Sequence, residues 1–208
     1  LTNDCLLTWQ WITNYWLNTE AAAHGTVNPA GDWFVAGTNI DVTALASNYY
    51  HFAGWTGTVS SVSNPLPVTV DAPHSLRAEF APNLATNNVP EWWLALHGWT
   101  NDFDEAAIRD DDKDGMDTWC EWVADTDPTN KESVLCIQLL SSSNGVLAVE
   151  WMGGTSVVQY IEYSPAITST GVQWTAVFTN APPTETTNTL QVEMGTNATG
   201  FYRIKAVR

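Results

Sequence analysis

Stretches of strict alternation between apolar and polar residues, interrupted by one window where the alternation stops, constrain this chain more than any other feature. In "TNIDVTALA" the apolar positions are Ile40, Val42 and Ala44; in "SLRAEF" they are Leu76, Ala78 and Phe80; in "TLQVEM" they are Leu190, Val192 and Met194. A period of two places such residues on one face of an extended strand, so both flanks are expected to form sheets with one buried side. Turn chemistry punctuates them in "NPAGD", "NPLP", "SSSNG" and "MGGTS". After Pro128 more strand-like runs follow: "VLCIQLL", "GVLAVEWM", "VVQYIEYS", "QWTAVFT" and "FYRIKAV".

The interrupting window is acidic and reads as helical. Thirteen of the 23 acids lie between Glu91 and Glu132, with only Arg109, Lys113 and Lys131 as bases. "PEWWLALHG" has Pro90 at N1 and Gly98 at C′, which bounds a two-turn helix carrying Trp92, Trp93 and Leu96 on or near one stripe. "DEAAI" is a second short turn of helix, and Trp119 to Ala124 forms a third beyond the acidic loop. The expectation is a mainly β, multidomain chain in three units. Residues 1–82 form one β-module, 89–132 a helical linker and 133–208 a small β-sandwich. With 208 residues, 44% of them apolar, the chain can bury cores for all three.

Within the window, "DDDKDGMDTWCE" sets six acids and one lysine into the twelve residues from Asp110 to Glu121. So much like charge beside tryptophans that belong inside calls for a cation. The spacing is D-x-D-x-D-G-x5-E. Asp110, Asp112 and Asp114 supply side-chain oxygens at positions one, three and five, and Gly115 permits the sharp turn at six. Met116 offers its carbonyl at seven, Thr118 stands at nine where a water often bridges, and Glu121 at twelve can bind through both oxygens. That donor set selects Ca²⁺. A solvated acidic face is the plainer reading, but it does not produce acids at alternate positions, a glycine at six and a glutamate at twelve. Asp125 and Asp127 divide between capping or turn roles before Pro128 and a further ligand role. Asp102, Asp104 and Glu105 are expected to cap the second helix and favour its positive end.

Charge excludes other partners. A formal net charge of −16 leaves no nucleic-acid footprint and no basic membrane-binding face, and no apolar run approaches the roughly 20 residues of a membrane span. A start at Leu1 without a signal pattern reads as a mature protein or an excised fragment. Scarce Lys and Arg with abundant Thr, Asn, Ser, Gly and Trp point to an extracellular, secreted β-protein. Cys5, Cys120 and Cys136 fit no zinc or redox spacing; a Cys120–Cys136 disulfide and three packed thiols both remain open.

The text between Gly25 and Pro82 resembles the divergent internalin B-repeat family of bacterial surface proteins. It does so through "GTV", "GTNIDVTA", the aromatic run closing in "FAGWTG", "NPLPVTVDAP" and the final "AEF". The resemblance implies a β-grasp-like fold and a non-catalytic repeat in a large extracellular protein. Gly54 and Gly57 are expected to bracket Trp55 in a tight turn. The preceding "CLLTWQWITNYWL" looks like a lead-in strand whose Leu7, Trp9 and Trp11 share one face and need a partner, within the domain or in a neighbouring subunit. The acidic loop resembles EF-hand and dockerin-type loops, although Asp117 replaces the aliphatic residue that pairs two such loops. Its "DTDPTN" tail resembles bacterial linker segments, and Trp122 stands where those carry Tyr. The terminal strands resemble fibronectin type III modules.

Enzyme motifs are missing: HExxH, GxSxG, P-loop and GxGxxG are absent, and His24, His51, His74 and His97 fall in different segments. Three functions remain. The first is a non-catalytic, calcium-stabilised structural or adhesive region joined to other domains of a larger secreted or surface protein. The second is a glycan-binding accessory module of a polysaccharide-degrading enzyme, with Trp33 and Trp55 as stacking candidates among twelve tryptophans. The third is a filament subunit that assembles with like subunits through its N-terminal strand.

Overall fold

The structure is a computed structural model describing residues 7–168, 171–193 and 200–208; Cys5 and Met194 lie outside the described residues. The chain divides into two compact units, Leu1–Asn83 and Leu84–Arg208. Both are built mainly from strands, as the alternation requires.

The first unit contains β1 (Asn14–Ala21), β2 (Gly25–Asn28), β3 (Asp32–Val35), β4 (Thr38–Ala46), β5 (Tyr50–Gly57), β6 (Leu66–Val70) and β7 (His74–Pro82). One sheet has the order β3-β1-β7-β5 and the other β2-β4-β6. Strands β1 and β7 lie side by side and parallel in the middle of the first sheet, and every other strand pairing among the unit's described residues is antiparallel; no helix lies among those residues, so the second sheet, not a helix, covers its inner face. Leu17, Trp55, Leu76 and Ala78 from one sheet meet Val42, Ala44, Leu66, Val68 and Val70 from the other in a single buried cluster. The alternation in β4 and β7 therefore marks the inner face of each sheet. Asn64 explains part of the "NP" motif: its side chain accepts from the Ala44 amide (2.9 Å) and donates to the Ala44 carbonyl (2.7 Å), continuing the β4 ladder where no strand runs.

The tight turn expected around Trp55 is instead a continuous strand with a bulge between Phe52 and Gly54. Gly57, its last residue, has φ +112°, and a Cβ there would stand 2.1 Å from the Ser75 carbonyl oxygen, so the position needs glycine. The lead-in strand also begins later than expected. Leu7, Trp9, Trp11 and Ile12 have no regular structure and are 72%, 77%, 94% and 70% exposed. Strand pairing starts where β3 reaches: Asn14 lies opposite Val35, and the Ala36 amide donates to the Thr13 carbonyl at 2.8 Å.

The second unit opens with helices α1 (Glu91–Leu96), α2 (Phe103–Ala106) and α3 (Thr118–Ala124), followed by β8 (Cys136–Ser143), β9 (Val146–Met152), β10 (Val158–Ser164), β11 (Thr175–Asn180), β12 (Thr187–Glu193) and β13 (Phe201–Val207). Two antiparallel sheets, β11-β10-β13 and β12-β9-β8, enclose Leu147, Val149, Trp151 and Ile161. Trp151 Nε1 donates to Gln159 Oε1 at 2.7 Å, so the buried indole leaves no donor unmet.

Helices of four to seven residues do not persist in isolation, so tertiary packing must hold them. Trp92, Trp93, Trp99, Trp119 and Trp122 provide it around Val89, Leu94, Ala106 and Ala107. Pro90 is the N-cap of α1 rather than its first residue, and Gly98 follows the C-cap at φ +102°. The helical segment also shares a core with the terminal strands, since Met116, Ala124, Leu135, Val157 and Ala206 pack together. Cys120 and Cys136 are both free thiols, so the disulfide does not form; burial and the nearby Asp117 push the Cys120 thiol up and keep it protonated. No helix among the described residues is long and apolar enough to cross a membrane.

Candidate metal centre

The loop between α2 and α3 is braced at both ends before any ion is considered. Thr118 donates its hydroxyl to the Arg109 carbonyl at 2.9 Å and its amide to the same oxygen at 2.8 Å; the Trp119 amide reaches the Ala107 carbonyl at 2.9 Å. These bonds fix the exit of α2 against the entrance of α3. Inside the loop, Asp110 Oδ1 accepts from the Lys113 amide (2.7 Å) and Oδ2 from the Gly115 amide (3.0 Å). Asp112 Oδ1 accepts from the Asp114 amide (3.2 Å), and Asp114 Oδ1 from the Met116 amide (2.7 Å). Gly115 takes φ +98°, the left-handed turn that position six needs.

One carboxylate oxygen from each of Asp110, Asp112 and Asp114 lies within 4.8 Å of the others. The second oxygens of Asp112 and Asp114 are buried and have no hydrogen-bond partner. Behind them stands Glu121, 1% exposed, whose one neighbouring donor, Thr126 Oγ1, is a distant 3.5 Å away. Burial first, then the charges of Asp112, Asp114, Asp110 and Asp127, push the Glu121 carboxyl up to about 8. Burial also raises Asp112, with Asp114 and Asp110 adding to the effect against a hydrogen bond from the Asp114 amide. The nearest guanidinium is engaged elsewhere: Arg109 pairs with Asp111 at 2.8 Å and with Glu105 at 3.5 Å. A hollow of about 300 Å³ lined by His97, Trp99, Asp111, Asp112 and Thr129 borders the loop.

Three aspartates are thus gathered, two of them with an orphaned, buried oxygen, close enough to the buried Glu121 for their charges to act on it, which fits a hard divalent ion taking oxygen ligands. Thr118 stands apart from the rest of the candidate set. It is fully buried and its hydroxyl proton is committed to Arg109, so its visible task is bracing the loop.

The flanking acids are structural. Asp125 is the αL C-cap of α3, and its Oδ2 accepts from the amides of Thr155 (3.1 Å) and Ser156 (2.9 Å). Its Oδ1 pairs with Arg208 at 2.5 Å, and that guanidinium also donates to the Trp122 carbonyl and lies 3.6 Å over the Trp122 ring. Burial alone would raise Asp127, but hydrogen bonds from Thr129 and the neighbouring His97 outweigh it and hold the carboxyl low. Asp102, expected as a cap, makes no side-chain cap bond; Asp104 instead accepts from the amide and hydroxyl of Thr86 at 2.7 and 2.9 Å.

The two stacking candidates part company. Trp55 is 2% exposed and donates Nε1 to the Ser63 carbonyl at 2.9 Å, so it belongs to the core and is no exposed stacking platform. Trp33 is 63% exposed and meets Trp16 edge to face at 5.6 Å. Trp16 had its own signal: in "NYWL" the inward Tyr15 and Leu17 leave Trp16 outward, as the inward Phe34 leaves Trp33.

Residues 15–84 match the family described as a divergent InlB B-repeat domain. The match takes in β1, which the sequence resemblance from Gly25 did not, because β1 is a central strand of that unit's sheet. Repeats of this family are non-catalytic in general and are associated with bacterial surface proteins. Neither the curated proteins nor the solved structures gave a match.

Proposed function

We propose that Asp110, Asp112, Asp114, Glu121 and the Met116 carbonyl bind one Ca²⁺, and that the chain is a non-catalytic, calcium-stabilised structural region of a secreted or surface protein of bacteria. The observation that carries the calcium reading is the aspartate triad within 4.8 Å set before the buried Glu121, with two orphaned carboxylate oxygens. An ion there supplies the positive charge that the protein does not, and allows Glu121 to ionise in place. The repeat in residues 15–84 supports the surface assignment.

The test is isothermal titration of the whole chain with CaCl₂ and MgCl₂, alongside tryptophan fluorescence. One calcium should bind, with Trp119 and Trp122 reporting it, and magnesium should compete poorly because it demands tighter octahedral geometry. A flat calcium titration at millimolar metal would leave a solvated acidic loop and end the reading.

Assembly with like subunits through the N-terminal segment draws support from the exposure of Leu7, Trp9 and Trp11. Deleting residues 1–12 then abolishes assembly and leaves both units folded; a monodisperse monomer at high concentration retires that reading.

A further inference from the structure

The outward face of the β3-β1-β7-β5 sheet has a composition that core packing does not account for. Trp16 on β1 and Trp33 on β3 are direct cross-strand partners at one margin. Across the middle, Asn18 lies opposite Ser75 and Glu20 opposite Arg77 in the parallel β1–β7 pair, and Thr56 lies opposite Arg77 from β5. These polar groups are already held in place. Asn18 Nδ2 donates to Glu20 Oε1 (3.1 Å) and Ser75 Oγ (3.3 Å), Arg77 Nε pairs with Glu79 Oε1 (3.1 Å), and Thr56 Oγ1 donates to the same Glu79 oxygen (3.4 Å). At the far margin an open hollow of about 660 Å³ is lined by Gly54, Thr56, Ser60, Ser61, Val62 and Glu79. Four strands at the usual spacing make this face about 14 Å wide.

We propose that this face binds a neutral oligosaccharide chain, with Trp33 supported by Trp16 as the stacking platform and the Arg77–Glu79 pair reading sugar hydroxyls. Pyranose rings present an apolar C–H face, which an indole covers, and a rim of hydroxyls that both donate and accept. An ion pair of arginine and glutamate offers donors and acceptors side by side, which is what adjacent hydroxyls require. Charge sets the sugar class. Arg77 is the only Lys or Arg in residues 1–83, with Glu20 opposite it in register and Glu79 paired with it. The face is therefore net negative and repels a uronate chain, nucleic acid or an anionic lipid surface. The site stands in the first unit and does not rest on the calcium reading.

Affinity electrophoresis of the whole chain in native gels containing hydroxyethyl cellulose, xyloglucan or galactomannan tests it, with polygalacturonate as the anionic comparator. At least one neutral polymer should retard the protein, equally with calcium or chelator, and polygalacturonate should not. Trp33→Ala should weaken the retardation about tenfold, in line with loss of one aromatic contact, and Arg77→Ala should weaken it as well. Because Trp33 is exposed, its variant should melt like the parent. Absence of retardation in all three neutral polymers overturns the proposal, as does retardation unchanged in Trp33→Ala. Dissociation of a dimer by Trp33→Ala, seen in sedimentation, assigns the face to a second copy and overturns it too.

Discussion

The first unit and the acidic loop of the second solve opposite problems. Residues 14–82 bury Leu17, Trp55, Val42, Val70 and Leu76 between two sheets, and its one arginine is paired. Nothing in that core needs a partner from outside. The loop from Asp110 to Glu121 does the reverse: it draws three aspartates together beside the buried Glu121 and leaves an oxygen of Asp112 and one of Asp114 unmatched. The first unit is stabilised by apolar area that is present under all conditions, whereas the second holds a local electrostatic debit that only a cation or protons can relieve.

The largest expected effect falls on the self-sufficient side. Trp55→Ala removes the largest buried ring of the first unit and its hydrogen bond to Ser63, and should destabilise that unit by about 3–5 kcal/mol. Calorimetry should then show the first unit's transition lowered or lost, and the calcium-dependent transition of the second unchanged. Joint loss of both transitions would show that the two compact units do not melt independently.

Calcium comes next. At about 100 times Kd it should stabilise the second unit by about 2.7 kcal/mol and leave the first unmoved. A melt of the whole chain with calcium, magnesium and chelator reads this directly: one transition shifts with calcium and the other does not. Equal shifts in both would erase the contrast between the units.

Protons should relieve the metal-free loop in the same sense as calcium. In the metal-free protein the Glu121 carboxyl is pushed up to about 8 from 4.5, so between those values the folded state holds a proton that the unfolded chain releases. The stability this contributes is fully present below about pH 4.5 and is lost as pH rises through about 8. Chelated protein should therefore melt lower at pH 8 than at pH 6, while calcium-loaded protein should show no such fall. Glu121→Gln makes the sharper test: it should raise the metal-free melt at pH 8 and abolish the calcium response. A variant that melts lower with and without metal would mean that Glu121 is simply a packed core residue.

Much of this contrast was legible in the sequence, for identifiable reasons. Period-two alternation in β4 and β7 located the inner faces because a sheet buried on one side leaves no other solution. The aspartate spacing was enough to expect carboxylates gathered in one loop, and Asp110, Asp112 and Asp114 do lie within 4.8 Å of one another. What failed to show were pairings between distant segments. Nothing near Trp55 in the sequence says that the ring is sealed by a bulge and the Ser63 carbonyl, and nothing in "NDFDE" says that Asp104 holds Thr86 instead of capping its own helix. Leu7, Trp9 and Trp11 alternate like a strand, yet β3 ends before it can pair with them. Alternation reports which face is apolar; it does not say that a neighbouring strand is long enough.

The smallest effect probes how far the proposed dependence of the loop on a cation extends. Helix α3 has seven residues, with Glu121 in its first turn and the Asp125 cap at its end, so fixing one end helps to fix the other. Arg208 holds the capped end by lying on the Trp122 ring and pairing with Asp125, which in turn holds the amides of Thr155 and Ser156. Removing that guanidinium in Arg208→Ala should lower the second unit's melt by about 1 kcal/mol, the size of a partly exposed cation–π contact. Arg208→Lys should recover little of it, because an ammonium lacks the planar fork that stacks and pairs at once. Since part of the helix order is then left to the ion, calcium affinity should also fall, by no more than about fivefold. Titration calorimetry on the variant measures this. Unchanged affinity beside a lowered melt would confine the clamp to the sandwich, and the loop would then fold around its ion without help from the strands.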